Sequence, residues 1–388
     1  LRIGIAILCL LLLTGCWDRR EITEIGIVAA MAIDKDKETG EYVLTSEFLR
    51  PAAESTQTPT PDRPFLLVTT TGKTIYEVMR KANQTTDRTG FFAHNKVIVI
   101  SEEVAKEGII PIIDSFQRGK EVRGYVWLSI TKGVEAKKPI EIKANNIARI
   151  PANYLQNLID NNAEQVAVSV NILNFYKRAL AEGVDPVATA LVHEKTDIEP
   201  FESIKLSGAA VFQKDKLKGF LNESETRGLN WITGEGPKIR GTLSVPSTLE
   251  EGKFVTVLLQ ELRAKIKPEV NGKNISYTID IEQEGRISEL QATGEFKTRK
   301  EIFDYVRKIE KEIEQLIEKE VKAVVNKAQT EFQADIFGFG KTLNREHPKI
   351  WNEVKANWVQ IFPTTSVTVN VSVNLTSTGL MKGPFDPK

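Results

Sequence analysis

IFDYVRKIEKEIEQLIEKEVKAVVNKA, residues 302–328, decides how the C-terminal third of the chain is read. Ile302, Val306, Ile309, Ile313, Leu316, Ile317, Val321, Val324, Val325 and Ala328 recur at three- and four-residue intervals, with charged residues between them. A helix of 3.6 residues per turn gathers such positions on one face. The stripe is wide, often two apolar residues per turn. That width fits a helix laid on a sheet of its own domain better than a coiled-coil partner seam.

The flanks supply the sheet. Residues 254–267, 276–284 and 287–298 read as three strands, with turns at Pro268-Glu269-Val270-Asn271-Gly272 and Glu284-Gly285. Ile350, Trp351, Val354, Trp358 and Ile361 share one face of a second helix. Val367, Val369, Val371, Val373 and Leu375 alternate with Thr, Asn and Ser, the period of a half-buried antiparallel strand. An α+β domain over 250–388 is expected, an antiparallel sheet packed with a long helix.

Upstream, residues 134–249 mix helical stretches (151–161, 168–182) with strands (187–193, 206–214, 217–221, 239–245). Asn222 with Glu225 three residues on predicts a capped helix over 223–231. Residues 17–133 alternate likewise. Strands are expected at 25–34, 42–49, 65–71, 97–100 and 125–131, and helices at 73–84, 102–107 and 109–118. The four prolines of 51–64 mark a mobile loop. The fold class expected is multidomain α+β, with three mixed α/β-type domains at 17–133, 134–249 and 250–388. No clear linker marks the first boundary.

The N-terminus is different in kind. Arg2, an apolar run of about 11 residues and the small residues of Leu13-Thr14-Gly15-Cys16 form a signal peptide over 1–15. The run is too short to span a bilayer, which takes ~20 residues. A Cys at this place resembles the lipobox of bacterial lipoproteins, whose thiol is acylated before cleavage leaves it as the N-terminus. Cys16 is thus the expected lipidation site; the plain alternative is a signal peptide with an incidental Cys. Cys9 leaves with the signal segment, so the mature chain has one thiol and no disulfide framework.

Composition excludes some classes. The chain has 388 residues, with 52 basic and 52 acidic side chains, so no global field steers it toward nucleic acid or an anionic surface. His94, His193 and His347 show no metal-ligand spacing, and no G-x-S-x-G elbow exists. Gly72-Lys73-Thr74 has the end of a phosphate loop, but Leu67 stands where that motif needs its first Gly. Trp17 with Arg19 and Arg20 suits a membrane interface as well as it suits a solvated tether. No catalytic, cofactor or metal residues are expected. A binding or scaffold protein is favoured over an enzyme.

Gly15-Cys16-Trp17-Asp18-Arg19-Arg20-Glu21-Ile22 resembles the start of the Ger(x)C family of spore germination lipoproteins. Gly72 to Glu77, His94 to Ile98, Gly208 to Phe212, Ala334 to Gly340 and Trp351 through Trp358 resemble later stretches of the same family, in the same order. The resemblance implies three α/β-type domains behind a lipid anchor at Cys16. It implies a non-catalytic C subunit of a nutrient germinant receptor, on the outer face of the spore inner membrane, beside integral-membrane A and B subunits. A rival expectation is a solute-binding lipoprotein that captures the nutrient itself. Such proteins have two similar lobes, and this sequence shows no repeat. A cell-wall enzyme is a further rival without a motif to carry it.

Overall fold

The computed structural model describes residues 21–50, 63–119, 121–142, 148–161, 166–195, 197, 202–234, 241–272, 274–292, 296 and 298–377. Cys16, the signal segment and most of the proline-rich stretch lie outside the described residues.

One sheet dominates the N-terminal half. Its strands are β1 (Ile25–Lys35), β2 (Tyr42–Leu49), β3 (Phe65–Gly72), β4 (Thr89–Phe91), β5 (Val97–Ile100), β6 (Trp127–Thr131), β7 (Val187–Lys195), β8 (Glu202–Gln213) and β9 (Lys216–Leu221). The spatial order is β3-β2-β1-β5-β6-β7-β8-β9, with β4 pairing the start of β1. The central strands β1, β5, β6 and β7 run parallel. Antiparallel strands flank them on both sides, β2 and β3 at one edge and β8 and β9 at the other.

The central strands are buried on both faces, which explains apolar runs such as Val97-Ile98-Val99-Ile100. Helices α1 (Ile75–Lys81), α2 (Glu102–Glu107) and α3 (Ile110–Gly119) cover one face. Helix α4 (Pro151–Asp160) covers the other, and α5 (Ile172–Ala179) returns to the first.

The boundary expected between 133 and 134 therefore has no counterpart in the sheet. β6 pairs in parallel with β7, which comes from the expected second domain. A parallel partner requires a crossover, and residues 132–186 provide it. The texture change at 134 marks that crossover.

The second sheet has the order β10 (Thr242–Pro246), β11 (Phe254–Asn271), β12 (Asn274–Leu290) and β13 (Ser366–Ser377). Helix α6 (Glu223–Thr233) starts in the capping box expected at Asn222 and Glu225 and packs on this unit. The 29-residue α7 (Arg299–Lys327) lies along the sheet, with Ile309, Ile313, Ile317, Val321 and Val324 fully buried. Helices α8 (Phe339–Glu346) and α9 (Pro348–Val354) follow. The α+β reading of this unit holds.

Three details differ from expectation. The unit begins before 250, because β10 pairs with β11 and α6 shares its core. Two expected strands are one: β12 runs through Glu284-Gly285 without turning. A Cβ at Gly285 would lie 3.0 Å from the Val257 side chain and 3.1 Å from the Leu258 carbonyl, so this glycine serves a close approach. Finally, β13 pairs with β12 in parallel. Period two reports which face is buried, not strand direction; the crossover through α7 brings the chain back to the starting end.

Candidate functional site

Helix α7 runs on into a π-helical turn, Ala328–Phe332, and Gln333 then adopts φ 51°, ending it. The chain enters Ala334-Asp335-Ile336-Phe337-Gly338-Phe339-Gly340, and Asp335 turns inward, 3% exposed. Its Oδ1 accepts from the amides of Gly338 (2.8 Å) and Phe339 (3.0 Å). Its Oδ2 accepts from the Gly340 amide (2.8 Å) and from Trp358 Nε1 (3.1 Å). Gly338 takes φ 80°, a conformation that suits glycine and lets the amides converge.

The first sheet's unit meets this turn. The Asp185 amide donates to the Asp335 carbonyl (2.8 Å), and the Asp335 amide donates to Asp185 Oδ2 (2.9 Å). Asp185 Oδ1 accepts from the Lys214 amide (2.8 Å). Arg178 Nη2 donates to the carbonyls of Ile336 (2.7 Å) and Asp185 (3.3 Å). The Lys341 amide donates to the Gly183 carbonyl (2.8 Å). Backbones touch here: a Cβ on Gly183 would lie 2.4 Å from the Gly340 carbonyl carbon. Trp351 Nε1 reaches Glu182 (3.1 Å), and the Trp351 and Trp358 rings meet edge-on at 5.4 Å. The structure thus explains two of the family-like stretches, Ala334 to Gly340 and Trp351 through Trp358, by one junction between the two sheets' units.

Burial raises both carboxyls. That of Asp335 is pushed up to about 6 by desolvation, against its N–H donors, with Asp185 adding to the rise. Asp185 is raised by burial against the Lys214 and Asp335 amides. Paired buried carboxylates can serve acid–base chemistry, but four N–H donors already occupy the acceptor sites of Asp335. This pair is a joint.

Two further buried carboxylates are bound into the fold. Glu320 of α7 accepts from Arg227 and from Trp231 Nε1 (3.0 Å), tying α6 to α7. Glu47 of β2 is 0% exposed and, among the described residues, accepts only the Ala152 amide at the start of α4, at 3.2 Å for its closer oxygen. Desolvation pushes its carboxyl up to about 8. Sequence patterns missed both, since a buried Glu looks like a surface one in a mixed stretch.

The single expected site residue, Cys16, lies outside the described residues. Among the described residues no group of three or more His, Cys, Asp or Glu could hold a metal ion. Gly72-Lys73-Thr74 is a helix cap: Thr74 Oγ1 accepts from the Glu77 amide (3.2 Å), and Glu77 accepts from the Lys73 amide (2.9 Å).

Two family descriptions match this chain. "Spore germination protein N-terminal domain" matches residues 18–192, and "Spore germination B3/ GerAC like, C-terminal" matches 207–379. The chain is 31% identical to spore germination protein YndF of Bacillus subtilis (strain 168), over 98% of this chain and 97% of that one. It is 28% identical to spore germination protein B3 of the same organism, over 95% and 96%. The crystal structure of the GerBC protein is similar in fold, with a TM-score of 0.58 at 21% identity, covering 89% of this chain and 96% of that chain. These likenesses define a spore germination protein. The chain belongs to the Ger(x)C family.

Proposed function

We propose that this chain is the non-catalytic C subunit of a nutrient germinant receptor. In this reading it is tethered through lipid on Cys16 to the outer face of the spore inner membrane, beside integral-membrane A and B subunits. The observation that carries it is co-linear similarity along nearly the whole chain to spore germination proteins. Saturation of the buried Asp335 carboxylate by donors supports a scaffold role. The two dissimilar sheets argue against a two-lobed solute-binding protein. A tether supports weak contacts with partners by raising local concentration.

The test is dipicolinate release from spores lacking this gene, after a panel of nutrients and after a trigger that bypasses receptors. Loss of one nutrient response with the bypass intact is expected. Survival of every nutrient response counts against the proposal. Cys16→Ala should leave the precursor unprocessed and blunt the same response; a mature-size, membrane-bound product would remove the anchor from the reading.

A further inference from the structure

Among the described residues, and leaving aside the three-residue β4, four strands form the outer edges of the two sheets, and three of them carry a device that discourages pairing. On β13 the outward amides of Val373 and Leu375 donate to Glu314 (3.1 Å) and Glu310 (2.9 Å) of α7. β10 is five residues long and ends at Pro246. β9 carries two charged side chains of its own, Lys216 and Lys218.

β3 is built otherwise. Its sequence, Phe65-Leu66-Leu67-Val68-Thr69-Thr70-Thr71-Gly72, contains no charge and no proline. The Arg50 amide donates to the Pro64 carbonyl (2.7 Å), which fixes the alternation along β2 and β3. Leu66, Val68, Thr70 and Gly72 bond inward to β2, so Phe65, Leu67, Thr69 and Thr71 present their main-chain groups outward. Among the described residues, only Lys81 Nζ reaches this edge, at the Thr71 carbonyl (2.9 Å). Leu66 remains 41% exposed beside it.

We propose that the outer edge of β3 joins two copies of this chain, antiparallel, about a two-fold axis at Val68. The strand is complementary to itself in that register. Phe65 faces Thr71 and Leu67 faces Thr69 of the second copy in hydrogen-bonded pairs, and each relation repeats in reverse, as a two-fold contact requires. Leu66 lies opposite Thr70 and diagonal to Val68 of the second copy, which covers its exposed side chain. No charge lies between Pro64 and Lys73, so the pairing sets no like charges together along its length. Arg63 and Lys73 meet only at the two ends, where solvent screens them. The strand is already ordered against β2, so pairing needs little further ordering.

The mature chain, kept free of lipid by Cys16→Ser, is the sample, and its mass is followed by sedimentation velocity across concentration. A monomer–dimer equilibrium is expected. Thr69→Pro removes one outward amide and leaves the β2 ladder intact; it should weaken the dimer at least tenfold, while Thr69→Val should not. Val68→Cys in the same background carries one thiol, and oxidation should link two copies. A monomer at ~100 µM, or a dimer indifferent to Thr69→Pro that gives no Val68→Cys cross-link, overturns the proposal.

Discussion

Asp185 and Asp335 exchange hydrogen bonds in both directions: the Asp185 amide donates to the Asp335 carbonyl, and the Asp335 amide donates to the Asp185 carboxylate. The two residues stand 150 positions apart and belong to different sheets' units. Around them, the Gly183 and Gly340 backbones touch and Trp358 closes the carboxylate of Asp335.

Asp335→Asn should be strongly destabilising. The amide keeps the shape but turns an acceptor into a donor against Gly340 and Trp358, leaving donors unpaired in a buried site. A loss of about 3 kcal/mol is expected from denaturant unfolding. An unchanged midpoint would mean that the joint carries no stability.

Gly340→Ala should cost about 1–3 kcal/mol by overpacking. Its Cβ would lie 2.7 Å from Gly183 Cα and 2.7 Å from the Trp351 ring, and the glycine backbone has no rotamer to change. Gly133→Ala makes a poorer control, because φ there is +72°, although its Cβ would meet nothing within 4 Å. Thermal unfolding of the Gly340 variant beside wild type gives the answer.

Arg227→Ala leaves Glu320 buried with, among the described residues, the Trp231 indole as its remaining donor. A loss of about 3–5 kcal/mol is expected. Arg227→Met with Glu320→Leu removes both charges and should recover much of it. If the double variant is no better than the single one, the charge is not the cause. A double-mutant cycle by urea unfolding measures the coupling.

Glu47 predicts a pH dependence. Its carboxyl is raised to about 8 in the fold, from about 4.3 in an unfolded chain. The folded state then holds the extra proton between these values, so this contribution is full below the lower one. It declines as pH rises and is gone above the upper one. The slope in the middle is about 1.4 kcal/mol per pH unit. Asp335, raised to about 6, and Asp185, also raised, act in the same sense, so the informative quantity is wild type minus Glu47→Gln, measured from pH 5.5 to 7.5. A flat difference would show that Glu47 is ionised throughout.

Much of this fold is legible from periodicity. The stripe from Ile302 to Ala328 locates α7, and the Asn222–Glu225 pair locates the start of α6, because both signals are local. Long-range pairing is not local. Nothing near Thr131 states that its neighbour in the sheet is Leu191, and nothing in the alternation of β13 states its direction. Gly285 reads as a turn because a sequence does not distinguish a glycine that bends the chain from one that admits a neighbour. Asp335 stands in a stretch that resemblance picks out, yet its partner Asp185 lies in an unmarked loop.

The parallel pairing of β6 with β7 also sets a waiting time. Trp127–Thr131 is complete 55 residues before β7 begins. At synthesis rates of about 5–20 residues per second, β7 is finished roughly 3–13 s after β6. For that interval β6, an uncharged strand buried at Leu128 to Thr131 in the finished sheet, lacks one of its two neighbours. Until β7 arrives that side of β6 is open to stray strand pairing, so a chain bound for export gains by staying unfolded through this stage of its making, well before α7 and the second sheet exist.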